Sequence, residues 1–302
     1  MNELYMGVDI GYGNTKSMSR VFSSGIKELP VKPAMEKKCI KYKDKYYVVG
    51  CPKMEIQKSK TENENTRILT MAAIAEELKG RNQTEAEIRL GVGVPLTKMG
   101  TEKNDYEKYM MAEPVLEFEY EDKQYKVTIK SVDVFPQGFA GIITKLKELK
   151  KSILVIDIGS WTIDILPMSN GRPDTARCKS LSLGTITCMN EINEHLRQLF
   201  DGEAEENVIK EIMIKGKSDI DENYLSVIKA DITTYVKSIM NNIRGLKFNM
   251  DLTQFVFIGG GASIMNQYLA DNEKEKMMIY DDVCINAKGY AQLVERKYNG
   301  GA

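Results

Sequence analysis

The chain has 302 residues, 42% hydrophobic and 28% charged, a globular balance that excludes disorder and leaves room for two domains of ordinary size. Its 42 lysines and arginines against 43 aspartates and glutamates give a net charge of -1, which excludes a sequence-independent pull toward nucleic acid or an anionic membrane. If DNA is involved, another protein is expected to hold it.

The first predicted element is a short apolar strand, Leu4-Tyr5-Met6-Gly7-Val8-Asp9-Ile10-Gly11, that ends in an aspartate and a glycine turn, with a hairpin over residues 14–22. Residues 30–57, rich in Lys, Tyr and Val, predict a small strand-rich insertion. The charged run 58–65 and the segment 97–113 read as surface connections, with solvated loops the plain interpretation and polymer contacts the functional one. Helical patterns fall at 66–79 and 138–151. The opening pattern then returns at Ile153-Leu154-Val155-Ile156-Asp157-Ile158-Gly159, followed by a hairpin over 161–168 with Ser169-Asn170-Gly171 as its turn. Asp9 and Asp157 stand 148 residues apart, about half the chain, so the repetition is a duplication at domain scale. Further helices are predicted at 185–200, 206–214 and 224–245, and an apolar strand Phe255-Val256-Phe257-Ile258 runs into Gly259-Gly260-Gly261 and another helix. Alternation of this kind predicts an α/β class with helices packed on mixed sheets.

The N-terminus lacks the pattern of a secretory signal, and no stretch approaches the roughly 18 apolar residues of a membrane span. Five scattered cysteines with no C-x-x-C pair predict free thiols in a reducing cytoplasm. The single histidine, His195, lies near no nucleophile motif and reads as an ordinary, partly exposed helix residue.

Chemistry concentrates in three loops. In Asp9-Ile10-Gly11-Tyr12-Gly13-Asn14-Thr15-Lys16, two glycines permit a tight turn that aims N–H groups at an anion, and Lys16 adds a positive charge. A strand-ending aspartate beside a phosphate site suits Mg²⁺, directly or through water. The spacing is neither that of a P-loop nor of a dinucleotide fingerprint, and a glycine turn without any ligand is the bland alternative. The second copy, Asp157-Ile158-Gly159-Ser160-Trp161-Thr162-Ile163-Asp164, adds a carboxylate, a turn glycine and two hydroxyls, so that two such loops facing each other would clamp a polyphosphate and its metal. Gly259, Gly260, Gly261 and Ala262 offer a side-chain-free approach for a base or sugar, against the alternative of a flexible turn.

These three motifs, in this order and spanning nearly the whole chain, resemble the first phosphate, second phosphate and adenosine motifs of the actin, Hsp70 and sugar-kinase superfamily. Between them, Val132-Asp133-Val134-Phe135-Pro136-Gln137-Gly138 resembles the connecting segment in which actin-like proteins carry a Gln or Glu that orients water at the γ-phosphate. Gln137 is the candidate for that role, and capping of the following helix is its structural alternative. The resemblance implies an actin-like (ribonuclease H-like) duplicated fold, two domains flanking a nucleotide cleft. The first domain is expected over 1–150, with an insertion at about 30–85 and completion by about 285–302, and the second over 151–284. It implies Asp9, Asp157 and Gln137 as catalytic residues, with Mg²⁺ at Asp9 and Asp157 through water. Nucleotide contacts are implied for Gly11, Tyr12, Gly13, Asn14, Lys16, Gly159, Ser160, Trp161, Thr162, Gly259, Gly260, Gly261 and Ala262. Trp161 departs from the small or hydroxyl residues usual at its position.

Within the superfamily, the set of motifs in about 300 residues is most similar to the plasmid-segregation actins of the ParM/StbA type. That likeness implies a cytoplasmic ATPase or GTPase whose filaments form on nucleotide binding and reach plasmid DNA through a DNA-binding adaptor of the ParR type. A small-molecule kinase of the same superfamily is the alternative. It needs a carboxylate base, for which Asp133 and Asp164 are the remaining candidates.

Overall fold

The computed structural model describes residues 3–36, 38–51 and 59–300. The chain divides into two compact units, Met1–Thr144 with Val283–Ala302, and Lys145–Asp282.

In the first unit, β1 (Glu3–Ile10) turns back through β2 (Asn14–Lys16) and β3 (Val21–Ser23), and β4 (Gly25–Leu29), β5 (Cys39–Tyr42) and β6 (Lys45–Cys51) follow. Helix α1 (Asn65–Gly80) leads to β7 (Glu85–Val94), α2 (Met99–Met111), β8 (Val115–Tyr120), β9 (Lys123–Pro136) and the short α3 (Phe139–Ile142). Nine of the described strands join in the order β3-β2-β1-β7-β9-β8-β5-β6-β4, with β1, β7 and β9 parallel at the centre. Central parallel strands are covered on both faces, which explains why β1 and β7 end in runs of buried residues. Helix α1 is rich in alanine and aliphatic residues and is buried over most of its circumference, Ile68, Leu69, Ala72, Ala73, Ile74 and Leu78 among them.

The second unit repeats the arrangement. Strand β10 (Ser152–Ile158) turns back into β11 (Ile163–Ser169), then β12 (Arg172–Pro173) and β13 (Lys179–Leu181). Helices α4 (Thr185–Phe200), α5 (Glu206–Lys215) and α6 (Glu222–Gly245) precede β14 (Gln254–Ile258), α7 (Ala262–Tyr268), α8 (Asp271–Lys274) and β15 (Met277–Ile279). The sheet runs β12-β11-β10-β14-β15, with β13 also on β11, and β10, β14 and β15 are parallel. Thus each unit has an antiparallel hairpin beside three parallel strands, which is the duplication expected from the two aspartate strands. Helix α6 buries Leu225, Ile228, Ile232, Tyr235, Ile239 and Ile243, a helical period that places one stripe on the core and the charges on the other face. The C-terminal helix α9 (Ile285–Asn299) returns to the first unit and packs on β1, β7 and α3.

Several expectations need correction. The helix expected over 138–151 is broken: α3 stops at Ile142, and only a 3₁₀ turn at Leu146–Glu148 follows. Gly141 and the β-branched run Ile142-Ile143-Thr144 disfavour helix, and the chain leaves the first unit at that point. The expected connection 97–113 contains α2, anchored by buried Tyr106 and Met110 one helical turn apart. The strand-rich insertion continues the main sheet, since β5 pairs with β8 and β6 joins β5 to β4. Residues 52–58, part of the expected insertion and of the charged run, lie outside the described residues. Among the described residues, no helix is long and apolar enough to cross a membrane.

Candidate functional site

Strand β1 delivers Asp9 to its C-terminal end, where the side chain is only 3% exposed, and the hairpin register sets Asp9 opposite Lys16. A buried carboxylate needs partners, and both oxygens have one. Lys16 Nζ lies 3.3 Å from Oδ2, and Gln137 Nε2 donates to Oδ1 at 2.9 Å. The Gly11 N–H donates to the Asn14 carbonyl at 3.0 Å, closing the turn. Hydroxyls lock it from behind: Ser24 Oγ donates to the Gly11 carbonyl at 2.6 Å and is 2.9 Å from Thr15 Oγ1. The far end of the hairpin is held by the buried Glu77 carboxylate, which accepts from Ser17 Oγ at 2.6 Å and the Ser19 N–H at 2.7 Å.

Lys60 joins this group. Its ammonium donates to the Ile10 carbonyl, and burial pushes its pKa down to about 8 against the opposing pull of the Asp9 charge. Burial likewise pushes the Tyr12 phenol up, with Lys98 acting in the other direction.

Gln137 follows the end of β9, and its N–H donates to the Val94 carbonyl at 2.9 Å. The side chain does not cap α3; it reaches back to Asp9. Of the alternative carboxylates, Asp133 is ion-paired with Lys297 of α9. Asp164 stands opposite Asp157 in the hairpin register, with Thr162 Oγ1 at 3.5 Å.

The second unit builds its loop in the same way. Asp157 ends β10 at 9% exposure, and the Gly159 N–H donates to the Thr162 carbonyl at 2.9 Å, matching the Gly11 to Asn14 bond of the first copy. The start of α4 supports this loop: Thr185 N–H donates to the Gly159 carbonyl at 3.2 Å, Ile186 N–H to Ser160 at 2.9 Å and Gly184 N–H to Trp161 at 3.1 Å. The Trp161 ring remains 38% exposed.

Because β14 runs parallel beside β10, Gly259 lies next to Asp157. Gly259 has φ +87°, and a Cβ there would stand 2.2 Å from Asp157 Oδ1, so any other residue would be strained and would crowd the carboxylate. The Gly261 N–H donates to the Ile158 carbonyl at 2.9 Å, tying Gly260, Gly261 and Ala262 to the same strand end. The first motif and Gln137 therefore cluster in one unit, and the second and third motifs cluster in the other.

Among the described residues, no group of three or more His, Cys, Asp or Glu side chains is arranged to hold a metal ion. Asp9 and Asp157 each supply one hard carboxylate at a strand end of its own unit, a donor type that suits Mg²⁺ held through water.

Sequence reasoning missed Ser24, Glu77, Lys60 and Gly184. Glu77 sits in the helix pattern of α1 without local distinction, and Lys60 was read within a solvated charged run. Gly184, directly before the hydroxyl-rich start of α4, carried a usable helix-start signal.

Residues 7–139 match the family model for the actin like proteins N terminal domain, and residues 155–271 match that for the archaeal actin homologue MreB-like C-terminal domain. No curated protein sequence matches the chain. Among solved structures the chain is similar to Bacillus thuringiensis ParM with ATP, at 14% identity and TM-score 0.74, covering 98% of this chain and 99% of that one. It is also similar to the Alp12 filament structure, at 18% identity and TM-score 0.72, covering 99% and 100%. A third is Ta0583, an archaeal actin homolog, in complex with ADP, at 19% identity and TM-score 0.75, covering 98% and 100%. At these identities the likeness is one of fold.

Proposed function

The chain belongs to the actin-like proteins, and on that premise we propose that it is a polymerising ATPase, or GTPase, whose nucleotide-driven filaments segregate plasmid DNA through an adaptor of the ParR type. The observation that carries this reading is the bond from Gln137 to Asp9. With Nε2 spent on the carboxylate, the amide presents Oε1 as an acceptor that orients a water molecule. An amide is a poor proton acceptor, so hydrolysis is slow and suited to timing disassembly.

In the reaction a water oxygen bonds to the γ-phosphorus while the bond to the β–γ bridging oxygen breaks, releasing inorganic phosphate and a nucleoside diphosphate. Lys16 and the turn formed by Gly11, Tyr12, Gly13 and Asn14 serve the phosphates, as does the turn of Gly159, Ser160, Trp161 and Thr162. Gly259 to Ala262 serve the nucleoside. Mg²⁺, when bound, would neutralise charge at the phosphates, and Asp9 and Asp157 are the residues that would hold it.

ParM with ATP and the Alp12 filament among the structures of like fold support nucleotide use and self-association. A contact repeated head to tail gives an open filament. The net charge of -1 supports leaving DNA to an adaptor. A kinase is disfavoured because an amide stands where a base is required and Asp133 is engaged by Lys297.

Light scattering and sedimentation with Mg²⁺ and ATP or GTP across a protein concentration series test the reading. Polymer is expected above a critical concentration and is expected to decay as nucleotide is consumed. Soluble protein that transfers phosphate to an added hydroxyl compound would instead establish the kinase. Gln137→Ala is expected to keep nucleotide binding and to slow phosphate release by roughly 10- to 100-fold; an unchanged rate removes Gln137 from the mechanism.

A further inference from the structure

The turn that carries Gln137 is held by a residue from the other end of the first unit's chain. Gly138 has φ +75° and ψ −54°, and the Phe139 N–H donates to the Gln137 carbonyl at 2.9 Å. This is a γ-turn of the positive-φ kind, rare for other residues but open to glycine, which has no Cβ. Glycine is as free to adopt other conformations, so the turn is fixed by its surroundings. Here the constraints are specific. The Val94 carbonyl takes the Gln137 N–H, and the side-chain Oδ1 of Asn286, on α9, takes the Gly138 N–H at 3.1 Å. Asn286 is 5% exposed. One helical turn further on, Gly289 lets α9 approach the Ala140 backbone of α3, so the helix presents Asn286 to the turn from a fixed distance.

We infer that Asn286 is a positioning residue for nucleotide hydrolysis, fixing the γ-turn at Gly138 and thereby the direction in which the Gln137 side chain leaves the backbone. The inference rests on the reading of Gln137 as the water-orienting group. The chain of causes is short. Without the Asn286 oxygen, a buried N–H loses its partner, and Gly138 is free to take another conformation in which that N–H is satisfied. The Gln137 amide then leaves its place 2.9 Å from Asp9, and even a displacement of about 1 Å at a reacting centre is costly in rate. A purely structural Asn286, serving only to dock α9, predicts something different: general loss of stability, with hydrolysis affected whether or not Gln137 is present.

The experiment uses the full chain with Asn286→Ala, Asn286→Asp, Gln137→Ala and the Asn286→Ala/Gln137→Ala double variant. Three quantities are read: ATP affinity with Mg²⁺, the rate of phosphate release, and amide hydrogen exchange at Gly138. Asn286→Ala is expected to speed Gly138 exchange, to slow phosphate release by about 10-fold or more, and to leave ATP affinity within about 2-fold. Asn286→Asp keeps an acceptor oxygen and is expected to restore protection and most of the rate. The double variant is expected to be no slower than Gln137→Ala, because residues acting as a unit are not additive. If Asn286→Ala slows the Gln137→Ala background by the same factor as the wild type, or leaves Gly138 protection unchanged, the inference is overturned. An unaltered rate in Gln137→Ala alone overturns the hydrolytic reading itself, and the exchange measurement separates that failure from this one. Should Asn286→Ala fail to fold, Gly138→Ala breaks the same turn while sparing α9 and is expected to give the same rate loss with affinity retained.

Discussion

The contact between α3 and α9 makes a quantitative prediction for Gly289→Ala. A Cβ at residue 289 would stand 1.9 Å from the Ala140 carbonyl oxygen, 2.4 Å from its carbon and 3.2 Å from the Gly141 nitrogen. All three atoms are backbone, so no side chain can rotate away. Reaching even 3.0 Å requires α9 to move about 1.1 Å from α3. Gly→Ala in a helix interior gains about 1 kcal/mol from propensity, whereas forcing a methyl into packed structure costs about 1–3 kcal/mol. With rigid backbone on both sides the cost falls at the upper end, leaving a net loss of about 1–2 kcal/mol. For a unit of this size that corresponds to a fall in Tm of roughly 2–8 °C. Differential scanning calorimetry of the full chain, with the transition of each unit resolved, measures it. A Tm that is unchanged or raised would mean that helix propensity outweighs packing and that α9 slides on α3 without cost, which refutes the argument.

Gly259→Ala places a methyl against Asp157 Oδ1 at a backbone angle that L-residues rarely adopt, so nucleotide affinity is expected to fall by about 10-fold or more. Calorimetric titration with ATP and Mg²⁺ reads the effect, and unaltered affinity would separate this corner from the nucleotide. Acid stability offers a second check. The Lys43 ammonium and then the Tyr42 hydroxyl hold the Glu113 carboxyl below its ordinary value of 4.5. Its folded pKa is depressed, so the stabilisation it gives is present above that value and is lost as pH falls through the folded one. With the Glu113 side chain 37% exposed the effect is small. Glu113→Gln is nonetheless expected to flatten the fall of Tm as pH drops below 4.5, and parallel slopes in the two proteins would contradict it.

The duplication was legible because each copy writes a whole local structure, strand, aspartate, glycine turn and hairpin, within fewer than 20 residues. The registers Asp9 to Lys16 and Asp157 to Asp164 follow from that spacing. Helices α4, α5 and α6 were legible because an apolar stripe repeats at helical period against a polar remainder. Helix α2 was not, since Tyr106 and Met110 are its only buried anchors in a charged stretch. Gln137 could be picked from a motif, but its bond to Asp9, 128 residues away, belongs to tertiary structure. Lys60 was hidden for a related reason: a lysine in a charged run carries no mark of having its ammonium drawn inside. Asn286 was invisible, because the turn it supports lies 148 residues earlier.

The return of α9 to the first unit also bears on how the protein is made. Ribosomal synthesis completes all of Lys145–Asp282 before α9 exists. The second unit has its own core and can fold as soon as it emerges. The first unit, although begun earlier, then still lacks the helix that packs on β1 and β7 and bonds the Gly138 turn. The first unit, whose strands are made first, therefore completes its fold last, only after α9 has emerged and docked.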